Sequence, residues 1–179
     1  ADQAGNGSYS AAPQVSQSFT IAKGDQTIAF GALADKTMLD SPVSISATAS
    51  SGLTVAFGSN SPAVCTVSGT TVTLVAAGTC SITASQAGDA DWNAAAPTVT
   101  RTFPVSLAPS ATVVTCPASV VYDGTAQTPC TVAVTGAGGL SLSPTPIYTL
   151  NTAVGTATAS YTYAGDANHA GSTDSTTFD

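Results

Sequence analysis

Apolar and polar side chains alternate along this chain in short runs, and turn residues interrupt the runs every 8–12 positions or so. The run Thr71–Ala76 is the clearest case: Val72, Leu74 and Ala76 share one face, opposite Thr71, Thr73 and Val75. Period-2 alternation of this kind places successive side chains on opposite faces of a strand. In the first half the pattern predicts strands over 26–30, 43–49, 53–58, 63–67, 71–76, 79–86 and 98–106. In the second half it predicts strands over 112–116, 119–122, 127–135, 142–150, 155–163 and 173–178. Ser68-Gly69 reads as a tight hairpin and Asp123-Gly124 as a turn. Gly136-Ala137-Gly138-Gly139 reads as a flexible loop. Many short strands and no helical period predict an all-β fold of sandwich type.

One segment recurs. Gln3-Ala4-Gly5-Asn6-Gly7-Ser8-Tyr9 matches Gln86-Ala87-Gly88-Asp89-Ala90-Asp91-Trp92, and a looser copy runs Tyr163-Ala164-Gly165-Asp166-Ala167-Asn168-His169. The first match continues through Val15/Val99, Phe19/Phe103 and Ile21/Val105. The copies lie about 80 residues apart, the size of a small sandwich domain. Their phase makes 1–22 the last hairpin of a preceding repeat, or a donor strand. It makes 24–106 one full domain and 110–179 a second, shorter one. Residues 107–110 (Leu107-Ala108-Pro109-Ser110) then form a linker, read as a hinge.

Composition sharpens this picture. Ala, Val, Thr, Ser and Gly dominate, Glu is absent, and only 7% of residues are charged. Good helix formers are thus scarce and β-branched residues plentiful. Lys23, Lys36 and Arg101 face ten Asp, for a net charge of −7. Such a surface cannot neutralise phosphates, which argues against nucleic acid. No apolar run reaches the length of a membrane span.

The four cysteines fall as Cys65 and Cys80, then Cys116 and Cys130, one pair in each half. Neither pair has the spacing of a zinc or redox motif, and a single His leaves zinc short of ligands. Two local disulfides would each stabilise by about 3 kcal/mol on the loop-entropy model and would place the protein in an oxidising, extracellular compartment. Four buried free thiols are the competing reading.

The stretch Ser59-Asn60-Ser61-Pro62-Ala63-Val64-Cys65-Thr66-Val67, followed by Gly78-Thr79-Cys80-Ser81-Ile82-Thr83-Ala84, resembles the bacterial immunoglobulin-like repeats of invasin- and intimin-type adhesins. That likeness covers 24–106. The cysteines depart from the pattern and imply that the pair staples two neighbouring strands. Val121-Tyr122-Asp123-Gly124-Thr125-Ala126 and Tyr161-Thr162-Tyr163-Ala164-Gly165-Asp166 resemble the short YDG-type repeats of exported bacterial proteins, over 110–179. The resemblance implies tandem immunoglobulin-like β-sandwich domains serving as a stalk or fibre segment of a secreted or cell-surface protein, in cell adhesion or filament assembly. Its partners would be other repeats of the same chain or neighbouring copies, and a host or polysaccharide surface.

Candidate chemistry is sparse. Nucleophilic catalysis needs a base, and the sole His, His169, stands where the other copies carry Trp92 and Tyr9, which reads as packing. Asp89, Asp91 and Asn93 alternate in a turn as calcium ligands can, although no Glu is available to complete the shell. Calcium is accordingly the one cofactor considered. Trp92 is the candidate sugar platform for the alternative reading, a carbohydrate-binding accessory module of a secreted enzyme. Val15, Phe19 and Ile21 form the apolar stripe of the candidate donor strand, whose unpaired backbone needs a partner.

Overall fold

A computed structural model describes residues 1–179. Fifteen short strands appear, with two single 3-10 turns and no longer helix. The first nine are β1 (Ile28–Ala29), β2 (Lys36–Thr37), β3 (Val43–Ser44), β4 (Thr48–Ala49), β5 (Ala56–Ser59), β6 (Cys65–Ser68), β7 (Thr71–Leu74), β8 (Gly78–Ser85) and β9 (Val99–Ser106). The remaining six are β10 (Ser110–Thr115), β11 (Thr131–Gly136), β12 (Leu140–Leu142), β13 (Ile147–Thr149), β14 (Ala157–Tyr163) and β15 (Ser172–Phe178).

In the first half, a four-stranded sheet has the order β2-β9-β8-β5 and a three-stranded sheet the order β3-β7-β6, while β1 and β4 pair separately. Both larger sheets feed one core. Val72, Leu74 and Cys65 come from one of them, and Cys80, Ile82, Ala84, Phe103 and Val105 from the other. Alternation does the sorting: in β8, buried Cys80, Ile82 and Ala84 are separated by half-buried Ser81 and Thr83. Burying Phe103 or Ile82 stabilises by about 1.5–3 kcal/mol each. Ser68 pairs Thr71 across the expected tight hairpin. β2, absent from the sequence reading, runs parallel to β9 with Lys36 opposite Val105.

The second half holds two three-stranded sheets, β10-β11-β12 and β13-β14-β15. Val114, Val132 and Val134 from one meet Ala157, Ala159, Tyr163 and Phe178 from the other. The Asp174 carboxylate in β15 accepts the Val114 amide of β10 at 2.8 Å, tying the sheets together.

Several expectations need correction. The run 43–49 is two strands: β3 pairs with β7 and β4 with β1, so one extended segment serves two partners. The run 142–150 likewise divides, with β12 and β13 in different sheets. Residues 119–122 form no strand, although the Val120 amide reaches the Asp179 carbonyl at 2.7 Å. Gly136 closes β11, and Ala137–Gly139 form a 3-10 turn.

The 107–110 linker is not a free hinge. Ala108 is buried, its N–H donates to the Asn168 carbonyl at 2.7 Å, and its carbonyl accepts the Ala170 N–H at 2.8 Å. Ser110 already opens β10. A side chain crosses between the halves as well. Leu39 sits over Gly138, where an added Cβ would lie 3.0 Å from the Leu39 Cδ2.

Both disulfides are formed. Cys65–Cys80 is fully buried and joins β6 to β8, which belong to different sheets. It therefore pins sheet to sheet rather than stapling two neighbouring strands. Cys116–Cys130 flanks the β10–β11 hairpin, one residue beyond the Thr115–Thr131 pair, with Cα atoms 4.3 Å apart.

Candidate functional site

The recurring motif folds the same way three times. Gly5, Gly88 and Gly165 have φ of 76°, 77° and 91°, a region that side-chain-bearing residues avoid. At Gly88 an added Cβ would stand 2.3 Å from the Trp92 carbonyl oxygen, so only glycine closes this turn. The next residue caps the loop with its side chain. The Oδ1 of Asn6, Asp89 and Asp166 accepts the main-chain N–H groups two and three positions on, at 2.7–3.1 Å. This is the Asx turn, which explains why each copy carries Asn or Asp there. The main-chain N–H of the same residue donates to the carbonyl of Tyr9, Trp92 or His169.

Two of the three loops are docked. Gly24 bridges Trp92 in parallel register: its N–H donates to the Asp91 carbonyl at 2.9 Å, and its carbonyl accepts the Asn93 N–H at 2.8 Å. The indole packs against Gly24, where a Cβ would meet ring carbon at 2.9 Å. Ala108 bridges His169 in the same sense. Behind each bridge sits a polar network. Buried Gln26 donates to Gln86 and to the Asn93 carbonyl and accepts from Ser51. The Ser110 hydroxyl donates to the Ala170 carbonyl at 2.6 Å and bonds Ser172 at 2.8 Å. No buried side-chain polar atom in the chain lacks a partner.

His169 is 6% exposed and engaged at both ring nitrogens, Nδ1 by the Asp166 carboxylate at 3.0 Å and Nε2 by the Ala137 carbonyl at 2.8 Å. Both partners are acceptors, so the imidazolium satisfies the site best. The Ala137 carbonyl first, and the Asp166 carboxylate with it, raise the imidazole above its usual value against the opposing pull of burial. Tyr163 donates to Asp166 Oδ2 at 2.8 Å; this bond and the N–H groups of Asn168 and His169 hold the carboxyl well below the usual carboxylate range. With both nitrogens occupied, this arrangement holds a loop in place.

The residues singled out from sequence divide clearly. Cys65, Cys80, Cys116 and Cys130 pair as expected. Asp89, Asp91 and Asn93 share a loop, in which Asp89 Oδ1 caps the turn and the Asn93 amide nitrogen donates to Asp25. Trp92 is half-buried against its own domain. Val15, Phe19 and Ile21 are exposed to 69%, 84% and 84%, whereas aligned Phe103 and Val105 are 2% and 3% exposed. The contacts of Gly24, Gln26, Ala108 and Ala137 have no signal in the sequence, since each acts on a residue more than 30 positions away. The surface carries two concavities, one of about 150 Å³ lined by Val120, Tyr122, Gln127, Val154 and Phe178, and a larger one of about 390 Å³ beside Leu53 and Phe57; neither contains His169. No helix is long and apolar enough to cross a membrane.

No protein-family model matches this chain, and no curated protein matches it.

Proposed function

We propose that this chain is a stiff spacer: two tandem immunoglobulin-like β-sandwich modules forming a stalk or fibre segment of an extracellular, secreted or surface-attached bacterial repeat protein, without catalytic activity. The observation that carries this reading is the junction. β9 passes into β10 through three residues, and the middle one, Ala108, is buried and bonded on both sides by the closing loop of the next module. Leu39 packs across the same junction onto Gly138. A joint held by main-chain bonds resists bending, and resistance to bending is what a spacer needs. The bond between sheets in the first module and the hairpin clip in the second stiffen each unit. Acidic charge and a near-absence of Lys and Arg suit a protein that must avoid non-specific adhesion to anionic surfaces.

Small-angle X-ray scattering of the intact chain tests it. A compact 179-residue globule has a radius of gyration of about 16 Å, whereas two modules held end to end exceed about 20 Å. Inserting Gly-Gly-Ser after Leu107 should broaden the distance distribution. A compact particle, or one indifferent to the insertion, would remove the spacer reading. The carbohydrate-module alternative draws less support, because the Trp92 ring is half-buried and already packs against Gly24. Glycan-array binding abolished by Trp92→Ala would restore it.

A further inference from the structure

Residues 1–22 hold a finished closing loop that bonds to neither half of the chain. The turn at Gly5–Tyr9 is built, Gln3 bridges Ala12, and Ala1 and Val15 exchange main-chain hydrogen bonds. Beyond Val15 the chain runs to Ala22 without joining a ladder. Its apolar residues recur at 15, 19 and 21, in register with 99, 103 and 105 of β9. Tyr9, equivalent to docked Trp92, is 74% exposed.

From the two docked copies, we infer that residues 1–22 are a prefabricated closing unit, loop and last strand together, for a β-module of this same repeat type that lacks a last strand of its own. This deepens the reading of the chain as tandem modules and rests on it. The docked copies specify the acceptor. It presents an open edge like that of β8, which β9 covers from Gly78–Val105 to Ala84–Val99. Its exposed core takes Phe19 and Ile21 as the first module takes Phe103 and Val105. Just ahead of its first strand it carries Gly or Ala, because the main chain at this loop position bridges Gly24 in one copy and Ala108 in the other, and the Trp92 ring lies against Gly24. Neither module of this chain can be that acceptor. β8 is flanked by β9 and β5, and β14 by β13 and β15, so both slots are filled.

The test supplies such an acceptor. Residues 24–83 are fused directly ahead of Ala1 of the full chain, so that Thr83 is followed by Ala1 as it is natively followed by Ala84. Amide exchange over residues 15–21 should slow by about 100-fold or more, the protection expected of a folded ladder. The added Cys65–Cys80 pair should become inaccessible to alkylation. Phe19→Asp should abolish both changes and Phe19→Leu restore them, with the two original modules unaffected. Free exchange over 15–21 in the fused chain overturns the inference, as does protection indifferent to Phe19→Asp. Concentration-dependent association of the unextended chain that Phe19→Asp removes also overturns it, since a second copy with filled slots would then be the partner. In a companion variant, residues 1–22 replace residues 84–106. A first module that unfolds cooperatively supports the inference, and one that no longer does overturns it. These readouts are local to the grafted unit, whereas failure of the spacer reading would appear in the shape of the unextended chain.

Discussion

Replacing Cys65 and Cys80 together by alanine removes the only disulfide between the two larger sheets of the first module. Alanine is the substitution to make, because both sulfurs are fully buried and a serine hydroxyl there would need a partner. The bridge spans a sequence separation of 15. Closing a loop of that length removes about 10 cal/mol/K from the unfolded ensemble, or about 3 kcal/mol at 25 °C. The lost sulfur packing acts in the same direction. For a module of this size each kcal/mol moves the midpoint by about 4–8 °C, so the first module should melt about 12–24 °C lower. Trp92 is the only tryptophan and lies in that module, so its fluorescence reports this transition in the intact chain. Cys116→Ala/Cys130→Ala is the control: it lies in the other core and should leave the Trp92 transition within a few degrees of its original value. A shift below about 4 °C in the Cys65/Cys80 variant would refute the claim that the bridge constrains the unfolded chain.

Native-state alkylation under mild reductant should trap Cys116 and Cys130 first, because Cys116 is partly exposed while Cys65 and Cys80 are not; mass spectrometry reads the order, and simultaneous labelling would contradict it. The second module should lose stability with rising pH. The raised imidazole of His169 makes its contribution in full below about pH 6.5 and loses it as pH climbs through the folded value, while the lowered Asp166 loses its own only as pH falls below the ordinary carboxylate value of 3.8. Melting temperatures across pH 5–9 should therefore decline for the native chain and stay flatter for His169→Gln; equal slopes would exclude the clamp. Gly88→Ala should cost at least about 2 kcal/mol by urea denaturation, since left-handed strain adds to a main-chain clash, whereas Gly52→Ala, with a similar φ of 79° and open space around it, should cost only about 1 kcal/mol.

What the sequence determined by itself was local. Alternation of Val72 and Leu74 with threonines dictates a strand whatever lies opposite, because successive side chains on an extended backbone must point to opposite faces. The Gly-Asx loops were visible only as a recurring segment, although their shape is local too, since a positive φ and an Asx turn are settled within five residues. Cysteine pairing within each half followed from spacing, since a short closed loop is the easiest to form. Tertiary structure decided which sheet each strand joined. Nothing within 43–49 signals that its two ends pair with strands as remote as β7 and β1, and nothing around Cys65 or Cys80 says that β6 and β8 face each other across a core. It also gave an apparent hinge contacts of its own. Leu107-Ala108-Pro109 has the composition of a flexible link, but Ala108 is held by a loop about 60 residues away, and such contacts depend on how whole sheets stack. The free N-terminal strand shows the two together: its apolar period is written in the chain, and its exposure is visible only where β8 and β14 already have their partners.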